Sequence, residues 1–382
     1  MQELFQRKFI VLFFLALSCF LPNESKAQEK TGQAVDIVFC LDLSSSANGL
    51  IDRFRNHIWD YWYMLSRCQP AVNYRIGVVA YSRFSYGRKN GYVKVISDLG
   101  TDFEEMSAIL FKIPSRIEKG DQFVGSALFT CLKKISWSKD PNALKVIFLV
   151  GNGDVRLGPD DVERVTERLV ANKIILNTIY CTVPGERKAI HGWKKLAEMG
   201  NGKMEVMSLR NRYFDRLAGF DLQLFRALNR KFNHTYLHYG LGGYKRWKTI
   251  INEDNHIFVT NTEGYRYRSL YKISDDYQKK NHHWDLVDMY YKNPVAFMDV
   301  ERKYLNDSCR KMYNEELRNY IIYKKYERKK LSAMIADMIA EKELKERAQG
   351  LVTEKTMATL DVISMRMLRE LLKSKNVILP AI

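Results

Sequence analysis

The sequence predicts an α/β protein, with a Rossmann-like, doubly wound and mostly parallel sheet followed by a mainly helical C-terminal extension. Between residues 33 and 208, short apolar runs alternate with longer amphipathic stretches, which is the pattern of strands connected by helices. Runs such as KVIFLV and IILNTIYC are apolar on both faces, as strands of a sheet that is covered on both sides must be. From residue 209 the composition changes, first to basic and tyrosine-rich and then to strongly helical.

The alternation defines six strands and five helices in the first half of the chain. The predicted strands are Asp36 to Leu41, Tyr74 to Tyr81, Tyr92 to Ile96, Leu144 to Val150, Ile174 to Cys181 and Lys203 to Met207. The predicted helices are Leu50 to Arg67, Asp102 to Ile113, Gly125 to Ser136, Pro159 to Ala171 and His191 to Met199. In an open sheet of this kind, ligands bind outside the carboxyl ends of the strands, so the loops at that edge are where we look for a site.

The second half divides into two segments. Residues 209–314 lack a clean period, which favours short helices and turns that are packed by aromatic side chains. Residues 315–382 are helical, and their apolar positions lie close to one stripe: Ile321, Ile322, Leu331, Met334, Ile335, Met338 and Ile339. That stripe fits either packing against the chain's own domain or dimerisation. A last amphipathic segment runs from Thr359 to Leu372.

The N-terminus has the features of a signal peptide over residues 1–27. Arg7 and Lys8 precede the apolar run Phe9 to Phe20, and Ser25-Lys26-Ala27 ends the stretch with small residues at the positions that a signal peptidase reads. We therefore expect export to the periplasm or cell envelope of a bacterium. A membrane anchor is the alternative, but the run is shorter than the roughly 20 residues that span a bilayer. A lipoprotein anchored through Cys19 is a further alternative.

The charge and the cysteines limit the class of partner. Residues 208–382 carry 33 Lys and Arg against 22 Asp and Glu, so they hold +11 of the chain's net charge of +17. An exported basic surface favours anionic partners such as membrane lipid, cell-wall polymer or an acidic protein, although solvated helix faces would explain the same charge. The five cysteines beyond the signal peptide show neither CxxC spacing nor the density of a disulfide scaffold. An odd count leaves at least one free thiol or one bond between chains.

The loop after the first strand carries the strongest candidate site. Asp42, Ser44 and Ser46 have the spacing Asp-x-Ser-x-Ser, and alternate residues of an extended segment point the same way, so their three oxygens can converge above the sheet. Hard oxygen ligands suit Mg²⁺, Mn²⁺ or Ca²⁺, whereas Zn²⁺ prefers His or Cys. The serines would alternatively cap the helix that begins near Leu50, although a cap needs only one hydroxyl.

This segment resembles the start of a von Willebrand factor A (VWA) domain, whose metal-ion-dependent adhesion site (MIDAS) begins with the same motif. The resemblance extends over residues 33–208, with TDFEEMSAILFKI, GDQFVGSAL, KVIFLVGNGD, NKIILNTIYC and WKKLAEMGNGKMEVM matching successive blocks of the family in order. It implies a protein-binding domain in which a divalent cation is gripped jointly by the site and by an acidic side chain of a partner. The segments LNRKFNHTYLHYG and HWDLVD with the long helix resemble the C-terminal extension of a group of exported bacterial VWA proteins.

The resemblance assigns two further ligands, and both depart from the family's pattern. Gln122 stands where the family usually has threonine, and Asn152 stands where it usually has the last carboxylate. Both side chains offer neutral oxygens, which leaves Asp42 as the one certain carboxylate unless Asp121 or Asp154 turns towards the site. The sequence therefore predicts a degenerate MIDAS that either holds a cation weakly or holds none.

Other functions are less well supported. GNGDVRLG lacks the spacing and the lysine of a phosphate-binding loop, and His282-His283 has no further ligand at zinc spacing. Trp284 fits a core better than a carbohydrate platform. No histidine lies in a catalytic motif, so we expect no enzyme, and basic residues interleaved with acidic ones argue against nucleic acid. We expect a protein-binding module; the alternative is a metal-independent scaffold that binds anionic surfaces through its basic C-terminal region.

Overall fold

A six-stranded sheet forms the centre of the protein, with strand order β3-β2-β1-β4-β5-β6. All neighbouring strands are parallel except β2 and β3, which are antiparallel. The strands are β1 (Ala34–Asp42), β2 (Asn73–Tyr81), β3 (Lys94–Gly100), β4 (Leu144–Gly151), β5 (Ile174–Thr182) and β6 (Met204–Ser208). The predicted fold class is confirmed, and β1 lies between β2 and β4 at the point where the strand order reverses.

The computed structural model describes residues 32–182, 189–209, 220–349 and 359–380. The predicted signal peptide and the lipoprotein cysteine Cys19 lie outside the described residues. From Gln33 onward, the described chain forms one compact unit.

Six helices cover the two faces of the sheet. They are α1 (Leu50–Asn56), α2 (Ile58–Leu65), α3 (Phe103–Phe111), α4 (Val124–Lys134), α5 (Val162–Ala171) and α6 (Ile190–Met199). The last three pack on one face through a core that includes Val38, Cys40, Leu128, Leu169 and Trp193. The first three pack on the other face, where Phe39 stacks on Phe148 and contacts Phe54 of α1 and Tyr61 of α2.

The predicted single helix from Leu50 to Arg67 is wrong in one respect. The helix is interrupted at His57, whose backbone (φ −110°, ψ 10°) has left the helical region, and α2 begins at the next residue. The imidazole of His57 turns inward to bond with Asp60, so the interruption has a side-chain cause.

The C-terminal extension is helical and adds an outer layer over α1, α2 and α3. Its helices are α7 (Leu222–Asn233), α8 (Gly243–Thr260), α9 (Thr262–Ile273), α10 (Asp275–Lys279), α11 (Leu286–Lys292), α12 (Asp307–Arg310), α13 (Asn314–Ala348) and α14 (Leu360–Lys373). We expected only short helices before residue 315, but α8 has 18 residues. The aromatic packing that we expected is present, since Tyr265, Tyr271 and Trp284 are buried in the core.

The long helix α13 packs on its own chain. Leu331, Ile335 and Ile339 lie in the main core, whereas Ile322 and Met334, which belong to the same predicted stripe, are exposed. The last helix, α14, lies against α1 and α2, where the Ser364 hydroxyl bonds to that of Tyr61 (3.0 Å). Beyond it, Ile378 pairs with Gln69 through two backbone hydrogen bonds.

Two further observations concern the described residues. None of their helices is long and apolar enough to cross a membrane. The five cysteines that the structure describes are Cys40, Cys68, Cys131, Cys181 and Cys309, and each is a buried free thiol.

Candidate functional site

The first part of the candidate site is the loop that leaves β1. Asp42 is the last residue of β1, and its side chain is fully buried. Its Oδ1 accepts a hydrogen bond from the backbone N–H of Ser44 (2.8 Å), which turns the chain sharply away from the sheet. A short 3₁₀ turn, Ser45–Ala47, follows, and the hydroxyl oxygens of Ser44 and Ser46 lie 3.0 Å apart. The predicted convergence of these three side chains is therefore present.

Two other loops complete the cluster. Because β1 and β4 are parallel neighbours, the residue after β4, Asn152, emerges beside the β1 loop. Asn152 is buried; its Oδ1 accepts from the hydroxyl of Ser46 (2.7 Å), and its Nδ2 donates to the Ser46 carbonyl (3.1 Å). Gln122 approaches from the segment that precedes α4. The structure thus brings together Asp42, Ser44, Ser46, Gln122 and Asn152, which we call the edge cluster.

The amide nitrogen of Gln122 lies at the centre of the edge cluster. Its Nε2 atom is 2.7 Å from Asp42 Oδ2, 2.9 Å from Asn152 Oδ1, 3.1 Å from Ser44 Oγ and 3.3 Å from Ser46 Oγ. An amide group has two N–H donors, so the two shortest contacts are its main hydrogen bonds. Four of the five residues that the sequence assigned to a cation therefore direct an oxygen at this nitrogen, whereas the oxygen of Gln122 lies beside Gly153.

Asp42 is the one carboxylate in the edge cluster, and burial raises its pKa. Hydrogen bonds from Ser44 and Gln122 lower that pKa without reversing the effect of burial. Beside it, Gly151 is required by space, because a Cβ at that residue would lie 2.6 Å from the Cβ of Asp42 and 2.7 Å from the hydroxyl of Tyr81. The site is packed closely around a single buried acid.

Asp121 and Asp154, the two other candidate ligands from the sequence, do not belong to the edge cluster. Asp154 forms an ion pair with Arg156 (3.0 Å), and this interaction lowers the pKa of its carboxyl group. Asp121 is exposed. In the part of the chain that the structure describes, neither carboxylate bonds to Asp42, Gln122 or Asn152, so the edge cluster has no second negative charge.

The edge cluster as arranged does not fit a resident divalent cation. Its oxygens are of the right chemical kind for Mg²⁺, Mn²⁺ or Ca²⁺, but the position that faces all of them is taken by N–H donors. A cation there would have to displace the Gln122 amide. Moreover, the cluster supplies one carboxylate, whereas hard cations depend on anionic ligands for much of their affinity.

The loops around the edge cluster form an exposed and basic surface. Phe84, Ile117 and Leu157 are exposed apolar residues on the loops after β2, before α4 and after β4, with Phe84 71% accessible. Nearby, four basic side chains are exposed and have no carboxylate partner among the described residues: Arg88, Lys89, Arg116 and Lys119. We call these seven side chains the edge surface.

The edge surface is held in place by a buried arginine. Arg83 donates to the carbonyls of Pro114 and Arg116 (2.9 and 3.0 Å) and pairs with Glu118 (2.5 Å). The hydrogen bonds from Arg83 and Ser85 lower the pKa of Glu118 to about 2. This arrangement fixes the loop after β2 to the loop before α4, and a groove of about 790 Å³ runs beside it, lined in part by Lys94, Lys112 and Ile113.

A second polar cluster was not found from the sequence. His57 Nδ1 lies 2.7 Å from Asp60 Oδ2 and 3.7 Å from Asp361 Oδ2, and all three residues are buried between α2 and α14. Burial alone would lower the pKa of His57, but the carboxylates of Asp361 and Asp60 raise it to about 9. The i, i+3 spacing of His57 and Asp60 is a usable signal, but Asp361 is about 300 residues away in the chain.

Comparisons with known proteins find similarity in structure only. No family model matches the sequence, and no curated protein matches it. The conserved hypothetical protein BatB from Bacteroides thetaiotaomicron is 13% identical, with 46% of this chain and 91% of that chain covered and a TM-score of 0.35. The von Willebrand factor type A protein from Catenulispora acidiphila is 16% identical, with 47% and 39% covered and a TM-score of 0.35. Proximal thread matrix protein 1 from the mussel byssus, with a zinc-occupied MIDAS motif, is 16% identical, with 47% and 42% covered and a TM-score of 0.33.

At these identities the similarity concerns the fold, and these scores carry no argument about function. The chain's own strand order, with one antiparallel edge strand and the edge cluster at the carboxyl end of β1, is the firmer observation. This arrangement confirms the fold class that the sequence predicts, and the solved structures to which the chain is similar include a von Willebrand factor type A protein.

Proposed function

We propose that this chain is an exported protein-binding module of the bacterial cell envelope, and that it engages an acidic partner protein through the edge surface. The observation that carries the proposal is the composition of that surface. Three exposed apolar side chains stand among four basic side chains that have no carboxylate partner in the described part of the chain. Apolar anchors surrounded by one sign of charge are typical of a surface that recognises an oppositely charged protein.

The proposal assigns the edge cluster a structural role in binding. Gln122 and Asn152 connect two of the three loops that carry the edge surface, and their hydrogen bonds with each other and with Asp42 hold those loops in one arrangement before a partner arrives. Preorganisation of this kind favours affinity because less conformational entropy is lost on binding. The partner's acidic groups would then pair with Arg116 and Lys119 directly rather than through the divalent cation that the VWA resemblance implies.

We propose no catalytic step. The hydroxyls of Ser44 and Ser46 bond to each other, Ser46 also bonds to Asn152, and the one carboxylate beside them, Asp42, accepts hydrogen bonds from the N–H groups of Ser44 and Gln122. Export is proposed from the signal-peptide pattern of residues 1–27 alone.

A second candidate function is binding of anionic surfaces through the basic C-terminal region. The observation that favours it is the outer face of α13, where Ile322, Tyr323 and Tyr326 are exposed beside Lys329 and Lys330. Exposed aromatic side chains among lysines suit an anionic membrane surface or polymer. This surface belongs to the extension, so the two candidates can be distinguished by position.

A photocrosslinking experiment tests both candidates. A photoreactive amino acid is placed at Phe84 on the edge surface or at Tyr326 on α13, and irradiated cells are examined for adducts. The proposal expects a discrete protein adduct from Phe84 that disappears when Arg116 and Lys119 are both changed to glutamate. Lipid or polymer adducts from Tyr326 and no protein adduct from Phe84 would contradict the proposal and favour the second candidate. Val259, which is 77% accessible and lies on α8, is the matched control position.

A further inference from the structure

The Gln122 amide occupies the position that faces every oxygen of the edge cluster. We propose that this amide replaces the divalent cation of the site, so that the edge cluster is assembled without metal and stays assembled when metal is removed. The inference concerns the same edge as the proposed function. Its test needs no partner, so its failure would leave the proposed function standing.

The spacing of the oxygens supports the replacement. In an octahedral shell with bonds of about 2.1 Å, neighbouring ligand oxygens are roughly 3.0 Å apart. In the edge cluster, Ser44 Oγ and Ser46 Oγ are 3.0 Å apart, and Ser46 Oγ and Asn152 Oδ1 are 2.7 Å apart. The oxygens thus keep the separation of a metal shell although N–H donors and hydroxyls hold them together.

The hydrogen-bond inventory of the edge cluster closes without an ion. Gln122 Nε2 donates to Asp42 Oδ2 and Asn152 Oδ1, the backbone N–H of Ser44 donates to Asp42 Oδ1, and the hydroxyl of Ser46 donates to Asn152 Oδ1. Asp42 and Asn152 are among the deepest residues of the site, and both have partners for their oxygens. A cation would therefore break bonds that already satisfy buried groups, which is costly.

The charges favour the amide over an ion for a separate reason. A divalent cation at this position would meet only the single negative charge of Asp42, because Asp154 pairs with Arg156 and Asp121 lies outside the cluster. The neutral amide adds no charge, and it gives Asp42 a charge-assisted hydrogen bond. Since Mg²⁺ releases its waters reluctantly, one carboxylate offers little compensation for dehydration.

The loop after β4 is shaped to receive the amide. Gly153 has φ +82°, and a Cβ at that residue would lie 2.1 Å from Gln122 Oε1. Gly153 therefore has two roles: it adopts the left-handed backbone conformation, and its missing side chain leaves room for the oxygen of the Gln122 amide. The loop after β4 thus accommodates Gln122 in the orientation that the edge cluster requires.

The test compares the wild-type chain with Gln122→Glu, which keeps the size of the side chain and replaces its N–H donors by a carboxylate. Manganese bound to purified protein is counted by electron paramagnetic resonance, and melting temperatures are measured with Mn²⁺ or with a chelator. We expect no stoichiometric Mn²⁺ on the wild-type chain and no effect of the chelator. We expect Gln122→Glu to bind about one Mn²⁺, because the site then has a second carboxylate beside Asp42, together with the oxygens of Ser44, Ser46 and Asn152. Its melting temperature should rise by roughly 4 °C at a hundredfold excess over the dissociation constant.

Three controls make the result decisive. Gln223→Glu, at an exposed position on α7, makes the same chemical change outside the site and should gain no Mn²⁺. Adding Asp42→Asn to Gln122→Glu should abolish the gain. If Gln122→Glu does not fold, the double variant Gln122→Thr with Asn152→Asp supplies the ligands that the VWA resemblance implies and should also gain Mn²⁺. Either one Mn²⁺ per wild-type chain that is lost in Asp42→Ala, or no gain in any of these variants, would overturn the inference.

Discussion

Arg268 on α9 and Glu104 on α3 meet in the interior with Nη1 and Oε2 2.7 Å apart, and neither side chain has any accessible surface. The two atoms form an ion pair rather than a directed hydrogen bond. The same guanidinium donates through Nε to Asp254 Oδ1 (2.5 Å) and lies over the ring of Trp59 (4.3 Å). The hydroxyl of Tyr277 donates to the other oxygen of Glu104 (2.8 Å). A buried charged centre therefore joins the extension to the VWA-like part of the chain.

Removal of the charge of Arg268 should destabilise the whole protein. In Arg268→Met, Glu104 and Asp254 lose a shared cation while they remain buried, which costs about 3–5 kcal/mol. The free energy of unfolding in urea measures the effect. Lys194→Met is the matched control, because its ion pair with Glu198 (3.7 Å) is exposed, and it should change stability by less than about 0.5 kcal/mol. Equal small losses in both variants would show that the buried centre does not hold the two parts together.

The segment 33–208 should not fold alone, although it contains the complete sheet. Without the extension, Trp59, Trp62 and Phe103 lose their contacts with Tyr271 and its neighbours on α9 and would be exposed. We expect this fragment to bind a hydrophobic dye and to lack a cooperative thermal transition, whereas residues 33–382 show one. A sharp transition of the fragment near the melting temperature of the longer chain would contradict this.

Gly153→Ala should be more harmful than the equivalent change at Gly49. Both glycines have nearly the same positive φ, +82° and +83°, but a Cβ at Gly49 meets nothing within 4 Å, whereas one at Gly153 meets Gln122 Oε1 at 2.1 Å. The backbone cost of about 1–2 kcal/mol is common to both variants. Any additional loss of folding free energy in Gly153→Ala measures the cost of displacing the Gln122 amide. Chemical denaturation of the two variants gives the two free energies of unfolding. Identical losses would mean that the amide moves aside freely.

The cluster of His57, Asp60 and Asp361 should make stability depend on pH. The carboxylates raise the pKa of His57 from 6.5 to about 9 despite its burial, and burial raises the pKa of Asp60 to about 7, with Glu263 acting in the same direction on both. Both groups therefore bind a proton more tightly in the folded state. The stability that His57 contributes is fully present below pH 6.5 and is lost as the pH rises through about 9.

We expect the melting temperature to fall between pH 7 and pH 9.5, by calorimetry, and to fall less in Asp361→Asn. That substitution removes the carboxylate that raises the pKa of His57 most. The difference between wild type and variant isolates this cluster from the other groups that titrate in the range. A slope that is the same in both proteins would show that Asp361 does not contribute.

The sequence predicted those features that depend on a single strand or helix with a clear apolar pattern. The apolar run that ends at Asp42 located β1, and the parallel arrangement then required Asn152 to emerge beside it. The orientation of the Gln122 amide could not be predicted, because it depends on four oxygens that come from two other loops. The same holds for His57 and Asp361, since local periodicity carries no information about a partner about 300 residues away.

The extension was harder to predict than the sheet for a related reason. Charged residues such as Arg268 and Lys272 are typical of the surface of a basic helix. In the structure, however, both are fully buried. What makes their burial possible is Asp254, which accepts hydrogen bonds from both and whose pKa they lower against the effect of burial. Sequence alone shows the charges but not which of them neutralise one another.

The position of α14 determines when the chain can complete its folding. The first helices after β1 are closed by α14 and by the pairing of Gln69 with Ile378, so the beginning of the fold is completed by residues that are synthesised much later. A chain that stopped before residue 359 would leave Tyr61, His57 and Asp60 without the elements that cover them. Products that stop before α14 should therefore be recognised and degraded by proteases, and only a chain translated through α14 should persist in the cell.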